Sequence, residues 1–164
     1  MKAIQMISKI TGKILEVFIV CLLVLMTVLM FMQVVGRHLQ IGGIVWAEEL
    51  SRYSMITMIF FGSAVSCRFK NHISITFLDE LLKGKTRILY KLAIALLSVV
   101  FLYFVIKFGF NMLPVLSFQK SANMRLPMNY AYAVVPVGGC IMLFYVVIEI
   151  LELTAELAGA GKGK

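Results

Sequence analysis

The sequence predicts an all-α integral membrane protein, built of four transmembrane helices plus a short interfacial amphipathic helix. Three observations predict it. The 164 residues are 61% hydrophobic and 15% charged, with a mean hydropathy of +0.95, whereas soluble domains run at roughly 45–50% apolar and about 25% charged. Four stretches stay apolar over lengths that suit a bilayer. The charges gather between those stretches rather than along them. So few charges cannot coat a water-soluble enzyme, and the apolar content is far above that of a disordered chain. The net charge of +8 flanks apolar segments instead of lining a polar face. That pattern excludes a nucleic-acid surface and reads as membrane topology.

The first stretch is ILEVFIVCLLVLMTVLMFMQVVG, about residues 14–36, with Glu16 as its one charge. As a helix at about 1.5 Å per residue it reaches roughly 34 Å, enough for a hydrocarbon core of about 30 Å. A cleaved signal peptide would have a shorter apolar region, about 7–15 residues, ending at a small-residue site. The stretch therefore reads as a retained span. The second, about 44–67, is uncharged only from Tyr53 to Cys67, so Glu48, Glu49 and Arg52 enter its first turns. The third, about 92–118, is interrupted by Lys107 and Pro114, and the fourth, about 130–148, contains Pro136, Gly138 and Gly139. Such residues are tolerated in membrane helices because neighbours satisfy the freed backbone groups. Between the second and third, Phe77, Leu78, Leu81 and Leu82 share one helical face, with Asp79, Glu80 and Lys83 largely opposite. That spacing predicts an interfacial helix over about 76–83. Residues 1–158 are thus read as a single four-helix membrane domain, and 159–164 as a flexible tail.

Lysine and arginine set the orientation. Eleven of the sixteen fall in the amino-terminal tail, the 68–91 connection and the carboxyl tail. The excess assigns both termini to the cytoplasm.

Few residues invite chemistry. Cys21, Cys67 and Cys140 are far apart and lack metal-ligand spacing. His38 and His72 follow successive spans, which separates them by about a bilayer, on the order of 30 Å, so one haem cannot bridge them. No cofactor is expected. In the run WAEELSRY, Glu48 and Glu49 stand four and three residues before Arg52, so one cation can hold either carboxylate. Trp46 and Tyr53 flank the run as interface residues do. The run reads either as a capped helix start or as a contact with a partner, since ionisable groups at membrane depth are functional candidates. Lys107 either snorkels or pairs with a carboxylate on a neighbouring helix or partner. Glu16, near Lys13, is expected to form a local ion pair. The competing reading is an independent oligomeric exporter using Glu16 or the Glu48/Glu49 pair.

Taken in order, VWAEELSRY (Val45 to Tyr53), RFKNHISI (Arg68 to Ile75) leading into FLDEL, and RLPMNYAYAVVPVGG (Arg125 to Gly139) resemble the small membrane subunit of tripartite ATP-independent periplasmic (TRAP) transporters. The resemblance covers nearly the whole chain. It departs at Asn129–Tyr130, where the family carries bulkier aromatics. It implies a non-catalytic subunit in the bacterial inner membrane, surrounded by lipid and paired with a large multi-span subunit that moves substrate by an elevator-type mechanism. It also implies a periplasmic substrate-binding protein, a driving sodium gradient, and an organic acid such as a C4-dicarboxylate or a sialic acid as cargo. The small subunit would scaffold the large one and help dock the periplasmic protein. The expected partner contacts are Trp46, Glu48, Glu49, Arg52, Tyr53 and Lys107, joined through the resemblance by Arg125 and Pro127.

Overall fold

The structure, a computed structural model, describes residues 2–39, 45–68 and 85–160. The chain is helical: α1 Lys2–His38, α2 Val45–Arg68, α3 Lys85–Ser117, a short α4 Met128–Tyr132, and α5 Val134–Ala160. The amphipathic helix expected at about 76–83, His72 and the last four residues of the expected tail lie outside the described residues.

The helices outrun the apolar stretches. α1 begins at Lys2 and α5 continues through Glu149 and Glu152 to Ala160, because lysine and glutamate are good helix formers and a bilayer boundary does not end a helix. Pro114 does not break α3, which continues to Ser117. Pro136 does mark a break. Having no N–H, it cannot donate to the carbonyl four residues back, at Tyr132, and α4 ends there. The chain resumes at Val134, which leaves Pro136 in the first turn of α5, where a missing donor is harmless.

Among the described residues, three helical segments are long and apolar enough to cross a membrane: Ile10–His38, Thr86–Ser117 and Met128–Ala155. α2 has the length, 24 residues, but Glu48, Glu49, Arg52 and Arg68 dilute its apolarity. On length and composition, then, three of the four expected spans are found among the described residues, and α2 falls short of the fourth.

Extensive packing runs pairwise in the order α1–α2–α5–α3, with α4 seated against α3 and α5. This places α2 and α5 inside the row and α1 and α3 at its two ends. Contacts fix the directions. Phe18 of α1 meets Phe61 of α2 with ring centroids 5.6 Å apart, and Glu16 meets Arg68, so these two helices are antiparallel. Gly109 of α3 lies by Pro136 and Ile106 by Gly139, while Ala95 and Leu102 pack with Val146. α3 and α5 are therefore antiparallel as well. Along the helix axes, the start of α1, the end of α2 and the second half of α5 share one end of the bundle.

Small residues let the inner helices approach. The buried face of α2 is Ala47, Ser51, Ser54 and Ala64, and the Ser51 hydroxyl is satisfied by the Ala47 carbonyl at 2.8 Å. Close backbone approach through small side chains is how helices associate in lipid, where apolar burial supplies little drive. The outer faces of the end helices are correspondingly apolar and exposed: Phe31 is 70%, Leu97 71% and Phe101 67% exposed. Water would not tolerate such a surface on a monomer.

Candidate functional site

At the end of the bundle where α2 begins, Glu48 and Glu49 leave the helix about 100° apart and enter different surroundings. Glu49 is buried. Its carboxylate accepts hydrogen bonds from the Ser121 hydroxyl, from the Asn123 backbone N–H at 3.1 Å and from the Met124 N–H at 3.0 Å. All three donors belong to the 118–127 loop between α3 and α4. That loop closes on itself through an isolated antiparallel bridge, Lys120 to Pro127. Ser121 N–H donates to the Leu126 carbonyl at 2.8 Å and Met128 N–H to Gln119 at 3.0 Å. The reversal puts Arg125 at φ 51°, a left-handed conformation that costs an L-residue roughly 1–2 kcal/mol. Turn geometry thus aims two backbone N–H groups inward, and Glu49 receives them. Charge-assisted bonds of this kind are about twice as strong as neutral ones.

Glu48 faces outward and pairs with Arg52 at 3.3 Å, both side chains well over half exposed. The expectation that one arginine would serve either carboxylate is corrected here: Arg52 holds Glu48, and Glu49 is taken by the loop. An exposed i, i+4 pair contributes about 0.3–0.5 kcal/mol, so within this chain Arg52 holds nothing together. Trp46 is also exposed. Tyr53 and Pro127 line one crevice of about 400 Å³ with Phe18, Thr57, Phe61 and Tyr130. Arg125 stays exposed on the loop. Lys107 lies apart from all of these, on the exposed side of α3, with its Nζ 5.9 Å from the Tyr103 ring centroid.

The opposite end of the bundle contains a second charged contact. Arg68, at the last residue of α2, reaches Glu16 at 2.8 Å. The local Glu16–Lys13 pair read from the sequence is thus replaced by a link between helices. Gly12 makes room for it, since a Cβ there would run into the Arg68 guanidinium. Tyr145 of α5 adds a long hydrogen bond, 3.5 Å, to the Ser8 carbonyl. Glu16 is therefore one half of a structural ion pair. Sequence reasoning missed Ser121, Asn123, Met124 and Arg68 as the partners of the two glutamates. The available signal was the Ser-Ala-Asn turn chemistry at 121–123 and a glycine one turn before Glu16. Among the described residues no three His, Cys, Asp or Glu side chains gather as a metal site would require.

Comparison with known proteins adds an independent observation. The family described as "Tripartite ATP-independent periplasmic transporters, DctQ component" matches residues 26–156. The sialic acid TRAP transporter small permease protein SiaQ of Vibrio cholerae is 26% identical over 156 residues, covering 95% of this chain and 90% of that protein. A TRAP transporter small permease protein of Haemophilus influenzae is 28% identical over 118 residues, 72% of this chain and 70% of that one. The sialic acid TRAP transporter permease protein SiaT of Haemophilus influenzae is 27% identical over 112 residues. That match takes in 68% of this chain but only 18% of that protein.

Proposed function

The chain belongs to the DctQ-component family of tripartite ATP-independent periplasmic transporters, and from that premise we propose that it is the non-catalytic small permease subunit of a sodium-coupled importer of an organic acid. A sialic-acid-like cargo is favoured by the names of two of the relatives; a C4-dicarboxylate is the other candidate. The subunit braces a larger permease and presents the 118–127 loop where the periplasmic binding protein approaches. The observation that carries this reading is the row of helices: α1 and α3 end it with broad apolar faces that no other described residue covers. Such faces suit a brace laid against a larger membrane protein. The SiaT match supports the same picture, because a segment like this chain occupies 18% of a much longer permease.

α2 is proposed as the fourth crossing. Its 24 residues reach about 36 Å, and its charges sit at its two ends, leaving Tyr53–Cys67 uncharged between α1 and α5. Both termini are proposed to face the cytoplasm, in the bacterial inner membrane, on the strength of the lysine and arginine excess. Reporter fusions should place residue 164 in the cytoplasm and residue 122 outside it. The reverse would contradict the orientation, and equal readouts would contradict a crossing between them.

Affinity purification of the tagged chain from its native membranes tests the functional reading. A larger multi-span permease should accompany it in about equal amount. Recovery of the chain as a homo-oligomer without such a partner would overturn the proposal.

A further inference from the structure

On the lipid-facing side of α3, opposite its seam with α5, one cation stands in an otherwise apolar surface. At about 100° per residue, Lys107 lies roughly 140° around the helix from Leu102, which packs on Val146. Around it are Val100, Tyr103, Phe104 and Phe108, all exposed, with Phe104 and Phe108 stacked at 6.1 Å between ring centroids. Lys107 comes ten residues before the end of α3 at Ser117, which sets it roughly 15 Å below that end at about 1.5 Å per residue. Its amine does not turn toward that nearer boundary. It lies over the ring of Tyr103, one turn toward the helix amino terminus, the direction in which helical side chains lean. The cation is thus aimed into the membrane rather than out of it.

Among the described residues no carboxylate neutralises it there. Glu16 is held by Arg68, Glu48 by Arg52 and Glu49 by the 118–127 loop. Glu149 and Glu152 belong to the second half of α5, toward the opposite end of the bundle. The described residues of a second copy would therefore bring no spare carboxylate to that depth. Charged groups within membrane spans pair with one another and seldom face lipid.

We propose that the Lys107 face of α3 is the surface on which the larger permease docks, with Lys107 paired to a carboxylate on a membrane helix of that permease and the Tyr103–Phe104–Phe108 ridge packed around the pair. The proposal rests on the reading of this chain as a small permease subunit and deepens it by naming the face and the chemistry of the partner.

The test is co-purification of the larger permease with the tagged full chain from native membranes, comparing wild type with Lys107→Met, Lys107→Glu and Lys107→Arg. Lys107→Met makes α3 more apolar, so insertion and accumulation of the chain itself should match wild type, and a loss of partner cannot then be a loss of folding. Recovery of the permease should fall about tenfold or more in Lys107→Met and further in Lys107→Glu, as breaking one side of a desolvated charge pair does. Lys107→Arg should keep most of it. Undiminished recovery with Lys107→Met, as expected if the amine only met lipid phosphate, overturns the docking proposal and leaves the subunit reading intact. A wild-type chain that recovers no larger permease overturns the subunit reading itself.

Discussion

Gly138→Leu should pry α5 from α2, and Gly139→Leu should pry it from α3. A Cβ at 138 would stand 2.9 Å from the Phe60 Cβ, and one at 139 would stand 3.0 Å from the Ile106 Cγ1. A Cβ sits close to its backbone and cannot swing aside, so the Gly138 contact must move a helix. Two adjacent glycines on α5 thus serve both of its neighbours, one each, and the centre of the row depends on them. Overpacking of this kind costs about 1–3 kcal/mol in a well-packed interior. The double variant Gly138→Leu/Gly139→Leu should lower the midpoint of thermal unfolding in detergent well below wild type. Gly62→Ala is the internal control. Nothing stands within 4 Å of a Cβ there, and alanine in place of a helical glycine stabilises by about 0.5–1 kcal/mol. A double variant as stable as Gly62→Ala would show that α2, α5 and α3 do not meet at these glycines.

Glu49→Ala should release the 118–127 loop. Three donors lose one acceptor at a stroke, and the turn that contains the left-handed Arg125 loses the bonds that tie it to α2. Hydrogen exchange at 121–126 should rise by about ten- to a hundredfold, the range expected when buried donors lose their partner. Arg52→Ala, which removes only an exposed pair, should leave exchange there unchanged. Equal effects in both variants would mean that the run WAEELSRY acts as one charge cluster and not as two opposed faces. If the loop is where the periplasmic protein seats, Glu49→Ala also lowers uptake without lowering the amount of complex.

The contrast between these residues explains how far the sequence could be read. The bounds of α2 were legible to within a residue because charges mark both its ends, Glu48 to Arg52 and Arg68. The start of α1 was not, because apolarity reports the membrane and not the helix, and Lys9 and Lys13 extend a helix as readily as leucine does. The neighbour order α1–α2–α5–α3 was hidden for a related reason. Helices in lipid are apolar on every side, so no periodic stripe marks the packed face. Sequence spacing also favours local partners. Lys13 is three residues from Glu16, yet the structure joins Glu16 to Arg68 across 52 residues. Likewise Arg52 is three residues from Glu49, yet the partners of Glu49 lie more than 70 residues away. The run WAEELSRY was recognisable as a cluster of charges, while the division of labour inside it was set by a loop whose return to α2 no local pattern encodes.

The central claim is that this chain supports transport and does not perform it. The most direct measurement is uptake of a sialic acid or C4-dicarboxylate into sodium-gradient vesicles, with the periplasmic binding protein supplied outside. Vesicles holding this chain together with the larger permease should accumulate the acid, and vesicles holding this chain alone should match empty ones. Accumulation by the chain alone, abolished by Glu16→Gln, would contradict the account.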